Sequence, residues 1–355
     1  MTGSATAQYP LVLDEAGISL TSSNFLVNFW RQLVRLAAAL QLLPALESGE
    51  SETLVGGQAV LEGVMMRSPH AWGIAVRRPS GEVATHCEPI DRPSERRKWW
   101  AWPVLRGLAT LGQALSLGFR ALRYSANIAL DAIPREEQEK KVEISGWVMV
   151  VNVLFSLGFF VFMYKFIPLV AATELKRVSP AFGNQIVFNL VDGAIRIVLF
   201  LLFISSISLW RDIRRVYQYH GAEHKTVFAF ESGDPLTPTA VQKYSTYHPR
   251  CGTSFLMTVL LISIVFYTAI PVTTFWARFA IRIAFLPVIA GVSYEIIRYA
   301  AKHRVSLFAL MTAPGLWLQR ITTQPPSDDQ VECAIRALDE AMELEKQRGG
   351  ELVIA

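Results

Sequence analysis

Three of the six histidines in this sequence fall in one short stretch, and a cysteine closes that stretch. His220 and His224 are four residues apart, so on a helix both imidazoles project from one face and can reach a single metal ion. Glu223 lies on much the same side. The order His-x-x-Glu-His is that of the inverted zinc-peptidase motif, in which the carboxylate activates water. His248 and Cys251 form a second pair with metal-ligand spacing, so the sequence predicts a divalent-metal site, with zinc as the expected ion. Structural histidines held by hydrogen bonds are the alternative.

Long apolar runs indicate that these residues belong to a membrane protein. The chain has 355 residues, of which 52% are hydrophobic and 18% are charged, whereas about a quarter are charged in an ordinary soluble domain. A run of about 18 or more apolar residues can cross roughly 30 Å of hydrocarbon as a helix. We predict a mainly α, polytopic membrane protein with a membrane domain over 146–321 and about four transmembrane helices, at 146–173, 186–209, 253–276 and 278–299. Buried core helices of a large soluble protein are the alternative.

The distribution of lysine and arginine around the four runs predicts their orientation. The richer side carries Arg135, Lys140, Lys141, Arg211, Arg214, Arg215, Lys225, Lys243, Arg250, Arg298, Lys302 and Arg304, and the poorer side carries Lys165, Lys176, Arg177 and Arg278. Basic loops resist translocation. Both termini and the metal-site segment 210–252 are therefore predicted to be cytoplasmic, in a multi-pass protein of the cell (inner or plasma) membrane. The first 23 residues lack the pattern of a signal peptide.

The net charge and the positions of the cysteines bear on two questions: whether nucleic acid is a partner and whether disulfide bonds are expected. The formal net charge is only +4, which does not indicate nucleic acid as a partner. The three cysteines are far apart and all lie on the predicted cytoplasmic side, so a disulfide framework is not expected.

The segments outside the four runs have patterns of their own. Residues 1–24 are polar and are predicted to be mobile, whereas 25–46 have the helical apolar spacing of an amphipathic helix at the membrane surface. Residues 50–95 contain β-favouring runs around a turn-rich centre, which predicts a small cytoplasmic β-containing module with a hairpin. The segment 96–131 opens with RRKWWAW, and an interfacial or re-entrant helix is favoured over a fifth span. Residues 322–355 begin with a capping-box pattern and continue as a cytoplasmic C-terminal helix.

One pair of charged residues falls inside a predicted span. Asp192 and Arg196 are four residues apart and therefore share a helix face. Charges at membrane depth are costly and usually face protein or water. The favoured interpretation is a structural pair, and the alternative is a role in transport.

Several longer motifs resemble one known family. The segments are VGGQAVLEGVMMRSP, HGAEHKT, HPRCGTSF, LPVIAGVSYEIIR and PGLWLQRITTQPPSDDQVECAI, and together they cover roughly residues 54–340. They closely resemble the YqhQ-like family, membrane proteins of bacteria and plastids that have no known function and are often described as predicted metal-dependent enzymes. The resemblance implies Glu62, Arg67, Glu295 and Gln319 as further candidate residues. Glu295 is expected about one turn below the inner membrane surface, where it could bind a metal or orient an imidazole.

Three functions fit these residues. In a metal-dependent hydrolase the first two histidines bind the ion, His248 or Glu295 is the third ligand, and Glu223 is the general base. Its substrate would be a membrane-proximal peptide bond, a lipid ester or a phosphate. In a closed structural site the three histidines and Cys251 complete a tetrahedron, and the carboxylate is dispensable. The third function is a scaffold or assembly factor that contacts membrane lipids and recruits a protein partner through the basic residues 211–215.

Overall fold

The computed structural model describes the chain in five stretches, residues 55–90, 98–130, 146–248, 251–302 and 307–347. The predicted mobile N-terminus and the amphipathic helix at 25–46 lie outside the described residues. Because apolar residues at helical spacing dominate the sequence, the described part is mostly helical, with one small sheet near its beginning.

The sheet is an antiparallel meander of four short strands. They are β1 (Gly56–Val60), β2 (Gly63–Arg67), β3 (Ala71–Arg77) and β4 (Val83–Pro89), and they are paired in sequence order. The predicted hairpin is confirmed as β3 and β4, which pair from Ala71–Pro89 to Arg77–Val83. Its turn needs Gly81, whose φ of 91° is a conformation that glycine adopts without strain. The predicted β-containing module is thus present.

Eleven α-helices follow in the described residues, after a short 3₁₀ helix at Lys98–Ala101. They are α1 (Leu105–Leu130), α2 (Gly146–Val161), α3 (Ile167–Val178), α4 (Gln185–Ile207), α5 (Arg211–Glu231), α6 (Pro238–Val241), α7 (Gly252–Thr268), α8 (Phe275–Ala284), α9 (Leu286–Lys302), α10 (Leu307–Thr322) and α11 (Asp328–Gln347). A π-helical turn at Phe162–Phe166 joins α2 to α3. The capping box predicted for α11 is present, since the Gln330 side chain accepts a hydrogen bond from the Ser327 N–H at 2.9 Å.

Helices cover both faces of the sheet. Val64 and Met66 of β2 point to one face, where they join a buried cluster with residues of α5 and α11. Met65, between them, points to the other face and packs with Leu117 and Ala121 of α1. Neighbouring side chains of a strand point to opposite faces, so the apolar residues of β2 supply both faces. Both faces are buried by helices.

The structure agrees only in part with the four predicted spans. Two continuous helices, Leu154–Val178 and Gln185–Ile207, are long and apolar enough to cross a bilayer. The predicted span 278–299 is instead a pair of helices, Phe275–Ala284 and Leu286–Tyr299, bent by 49°. If that pair counts as one broken span, the total rises to three. The predicted span 253–276 is a shorter apolar helix, Gly252–Thr268.

Prolines account for both differences. Pro271 follows the end of α7, and the residue before a proline is disfavoured in the helical region. Pro287 lies at the bend between α8 and α9, where it has no N–H to donate to the preceding turn. Four transmembrane helices are therefore not established by the described residues.

The charged pair predicted in the second span is confirmed and is part of a larger group. Arg196 donates to Asp192 at 2.5 Å, and both side chains are buried. Arg282 of α8 binds the second carboxylate oxygen of Asp192 at 2.7 Å, and Ser263 of α7 accepts from Arg196 at 2.8 Å. This group links three apolar helices, which supports the structural interpretation of the pair.

Candidate functional site

Helix α5 carries the His-x-x-Glu-His motif on a buried face. Gly221, within this motif, is where the segment that follows α10 crosses the helix. A Cβ atom at this position would lie 2.2 Å from the carbonyl oxygen of Gln324, so only glycine fits. The helix cost of a glycine is about 1 kcal/mol, and it is offset by this close approach. The motif is therefore packed closely against the segment that follows α10.

Two histidines and a cysteine converge on one point. The ligand atoms of His220, His224 and Cys251 all lie within 4.8 Å of one another. Nε2 of His220 is 3.2 Å from Sγ of Cys251, which caps the N-terminus of α7. A Zn–S bond is about 2.3 Å and a Zn–N bond about 2.0–2.1 Å. Ligand atoms at this spacing can therefore hold one ion after small adjustments of the side chains.

Backbone carbonyls fix the tautomer of both imidazoles. Nδ1 of His220 lies 2.8 Å from the carbonyl oxygen of Thr322, and Nδ1 of His224 lies 2.5 Å from that of Thr246. A carbonyl only accepts, so each Nδ1 carries the proton and each Nε2 carries a lone pair. The Nε2 atom of His224 is buried and lies 3.5 Å from Oε2 of Glu223. Burial also lowers the pKa of His224, which favours the neutral, ligating form.

A buried lysine holds the segment that supplies one of those carbonyls. The ammonium of Lys225 donates to the carbonyl oxygens of Gln242 and Tyr244, each at 2.6 Å. Thr246, which binds His224, follows two residues later. Lys225 is adjacent to His224 on α5, so the same helix positions the imidazole and its hydrogen-bond acceptor.

Glu223 lies beside the three ligand-type side chains. Its Oε2 is 3.5 Å from Nε2 of His224 and 4.0 Å from Nε2 of His220. The carboxylate accepts a hydrogen bond from the N–H of Gly57 on β1. Burial raises the pKa of Glu223, although His220 and His248 act in the opposite direction. A carboxyl group with a raised pKa next to a metal-type cluster is suited to accept and return a proton.

His248 lies next to the cluster but is not one of its three members. Its ring centroid is 5.7 Å from that of His224, and its Nε2 is 3.6 Å from Oε2 of Glu231. Gln319 fixes its backbone on both sides, accepting from the His248 N–H at 2.7 Å and donating to the His248 carbonyl at 2.8 Å. Gln319 therefore positions the loop that carries His248 and Cys251.

These side chains line a cavity of about 500 Å³. Its walls come from β1, β2, α1, α5 and α9, together with His248, Cys251 and the first turn of α7. The polar part of the lining consists of Gln58, Arg67, Thr110, His220, Glu223, His224, His248, Cys251, Tyr294 and Arg298. The apolar part includes Val55, Met65, Leu111, Leu117, Val227, Phe255 and Ile297. A volume of this size, lined by both polar and apolar side chains, is large enough for a small ligand.

Other predicted candidates have partners outside the cluster. Arg106 binds both carboxylate oxygens of Glu295, and the N–H of Val104 donates to the same group at 3.3 Å. Glu62 is in the β1–β2 turn at a φ of 56°, and its carboxylate binds Arg215 of α5. The structure thus does not bring either carboxylate to the histidines. Asp192 and Arg196 are likewise absent from the cavity lining.

The sequence interpretation missed one contact at the site and one contact outside it. Gly57 packs against Glu223 and donates to it, and the paired glycines of VGGQAV were the only sequence signal. Arg106 binds Glu295, a residue 189 positions away, and no local pattern indicates such a pair. Neither contact could be predicted, because the spacing of residues along one helix gives no information about contacts between distant elements.

Comparisons with known proteins agree with the resemblance seen in the motifs. The family described as "Protein of unknown function (DUF1385)" matches residues 102–344. A protein named "Uncharacterized protein YqhQ" from Bacillus subtilis (strain 168) is 34% identical over 298 residues, which cover 82% of this chain and 92% of that relative. No solved structure matches the chain. The chain therefore belongs to the YqhQ-like family, whose matching members carry no assigned function.

Proposed function

We propose that this protein is a zinc-dependent hydrolase at the cytoplasmic face of the cell membrane. One observation carries the proposal: Nε2 of His220, Nε2 of His224 and Sγ of Cys251 face a common point beside the buried Glu223. The cluster also forms part of the wall of a cavity that is large enough for a substrate.

The number of ligands favours a catalytic site over a structural one. Structural zinc sites have four protein ligands, whereas catalytic sites have three and leave one position open. Thiolate ligands occur in both kinds. Three ligand atoms meet here, and the fourth nearby group, Glu223, is placed as a general base rather than as an obvious fourth ligand.

Each residue would have a distinct role in hydrolysis. His220, His224 and Cys251 would hold the ion, which when bound supplies Lewis acidity towards water and a carbonyl or phosphoryl group. Glu223 would take the proton of the attacking water and return it to the leaving group. The hydrogen bond from Gly57 would keep its carboxylate aimed at the cluster.

The membrane arrangement belongs to the same proposal. We propose about four spans, with both termini and segment 210–252 cytoplasmic, because lysine and arginine are concentrated on that side. Membrane lipids would contact the exposed apolar side chains of the candidate spans, such as Phe155, Phe159 and Leu202. A protein partner on the cytoplasmic face would meet the basic residues at the start of α5.

A closed structural site is the second candidate, because the His248 ring is only 5.7 Å from that of His224. In that site a shift of the His248 side chain would complete a tetrahedron with the three clustered ligands. The protein would then be a scaffold or assembly factor without turnover. The closed site needs His248 as a metal ligand and makes Glu223 dispensable. The hydrolase needs Glu223 as its general base and does not need His248 to bind the metal.

Cobalt substitution tests both candidates without a known substrate. Purified protein loaded with Co²⁺ should show thiolate-to-metal charge-transfer absorption that disappears in Cys251→Ser. Acetohydroxamate should change the d–d bands, because it needs an open position. Glu223→Gln and His248→Ala should both retain the metal, whereas His224→Ala should lose it. Metal loss in His248→Ala together with no response to acetohydroxamate would establish the closed site. Equal metal content in all variants would remove both candidates.

A further inference from the structure

We propose that the outer edge of β1 binds an extended peptide as an additional strand, which makes peptides the substrate class of this site. The inference rests on the proposed hydrolase function and deepens it. Two observations support it: the direction of the backbone groups of β1, and the course of the cavity around that strand.

The hydrogen-bond pattern fixes which backbone groups of β1 point outwards. The N–H of Arg77 donates to the carbonyl oxygen of Glu62, so the even-numbered residues of β2 bond to β3 and the odd-numbered residues bond to β1. In the register of β1 with β2, Gln58 lies opposite Met65. Gln58 therefore bonds inwards, and the N–H and carbonyl groups of Gly57 and Ala59 point away from the sheet. The Gly57 N–H already donates to Glu223, so a further strand would pair with the carbonyl of Gly57 and with the N–H and carbonyl of Ala59.

No described strand pairs with that outer side. The order of the sheet is β1-β2-β3-β4, which places β1 at an edge. The strand is short and its Gly57 is exposed, so the backbone is accessible there. An edge with outward N–H and carbonyl groups is a template for adding a strand, and many proteins bind extended peptides in this way.

The cavity reaches the first residues of this edge strand. Its walls include α1, which packs on one face of the sheet, and α5, which packs on the other. Residues 55–58, in and just before β1, complete the wall. Because α1, α5 and the start of β1 all contribute to its wall, the cavity lies beside the start of β1. A peptide that paired with β1 from Ala59 to Gly57 would therefore enter the cavity at Gly57.

The edge also leads directly to the proposed general base. The outward N–H of Gly57 donates to Glu223, whose Oε2 is 3.5 Å from Nε2 of His224. A peptide bond held beside Gly57 would thus lie next to the carboxylate and the metal-type cluster. Water would add to the peptide carbonyl carbon as Glu223 takes its proton. The C–N bond would then break, and Glu223 would pass that proton to the leaving amine nitrogen.

A series of hydroxamates measures the two proposals separately, with the full-length, zinc-loaded protein in detergent. Acetohydroxamate reports the open metal position alone. An N-acetyl tripeptide hydroxamate adds strand hydrogen bonds, and an alkyl hydroxamate of equal length adds only apolar contact. We expect the peptide compound to bind at least about tenfold more tightly than acetohydroxamate, which corresponds to about two net hydrogen bonds. Methylating its amide nitrogens one at a time should abolish the gain only at alternate positions, because a strand has a period of two.

The outcomes separate failure of the inference from failure of the proposed function. If acetohydroxamate binds but the alkyl compound gains as much as the peptide, or if methylation has the same effect at every position, strand addition is wrong. If acetohydroxamate does not bind, the open metal site is wrong. The strand is then tested by hydrogen exchange with the tripeptide amide, which has no metal-binding group. Slower exchange at residues 55–60 would support docking on β1, and unchanged exchange would overturn it.

Discussion

Replacing Gly57 with alanine should disturb the site while its neighbour Gly56 tolerates the same change. A Cβ atom on Gly57 would lie 2.7 Å from three atoms: Cγ of Glu223, the carbonyl oxygen of Met65 and Sδ of Met66. Ordinary van der Waals contact begins at 3.4 Å, so each neighbour is too close by about 0.7 Å. The Met65 oxygen belongs to the paired strand and cannot swing aside. Either β1 or Glu223 must therefore move.

The size of the expected loss of stability and activity follows from that steric overlap. Overpacking of a well-packed site costs about 1–3 kcal/mol, which should lower the melting temperature of Gly57→Ala by a few degrees. A displacement of about 1 Å in a catalytic group can reduce turnover about a hundredfold. Zinc content should not change, because none of the three ligand-type residues is touched. The expected result is a protein that retains its metal but is less stable and, in a peptide-hydrolysis assay, nearly inactive.

The control lies one residue away on the same strand. No atom is within 4 Å of a Cβ built on Gly56, so Gly56→Ala should match the wild type in melting temperature and zinc content. Thermal unfolding and elemental analysis of the two variants side by side decide the matter. If Gly57→Ala is as stable as Gly56→Ala, the tight packing of β1 against Glu223 is refuted.

Two further predictions concern ionic contacts around the site. Arg106→Ala should lower the free energy of unfolding by about 3–5 kcal/mol, because it leaves the buried Glu295 without its cation. The control is Arg120→Ala, which breaks an exposed ion pair on the same helix and should cost less than about 1 kcal/mol. Equal losses of stability for the two variants in thermal unfolding would contradict the predicted effect of burial. Burial disfavours ionisation of Glu345, but hydrogen bonds from Ser68 and His70 outweigh it and lower the pKa of this carboxyl below its usual value. Its contribution to stability is therefore present above the unfolded pKa and is lost as the pH falls through the folded pKa. Glu345→Gln should destabilise the protein at neutral pH and match the wild type in strong acid; a pH-independent difference would refute this.

Local spacing in the sequence was sufficient for several features. His220 and His224 share a helix face because 3.6 residues make one turn, and the structure has both on one helix with ligand atoms in reach of each other. The same spacing predicted the pair of Asp192 and Arg196. The β-containing module and the capping box of α11 also followed from local patterns, because turns and caps depend on neighbouring residues.

Contacts between distant parts of the chain could not be read in this way. Glu295 was expected near the histidines from its depth in a span, but the structure pairs it with Arg106, because the bend before α9 and the packing of α1 decide its neighbours. Arg282 joins Asp192 across 90 residues, which spacing within one helix could not indicate. The expected four spans also depended on composition alone, and the effect of Pro287 appeared only as a bend between two helices.

The sequence by itself determined which side chains carry ligand atoms and which of them share one turn of a helix. Only the tertiary structure decided that Cys251, rather than Glu295, approaches both histidines, and that Gly57, on the edge strand of the described sheet, meets Glu223. The physical reason is that periodicity fixes directions around one element, whereas a site needs the packing of several elements. That packing depends on buried contacts between residues far apart in the chain.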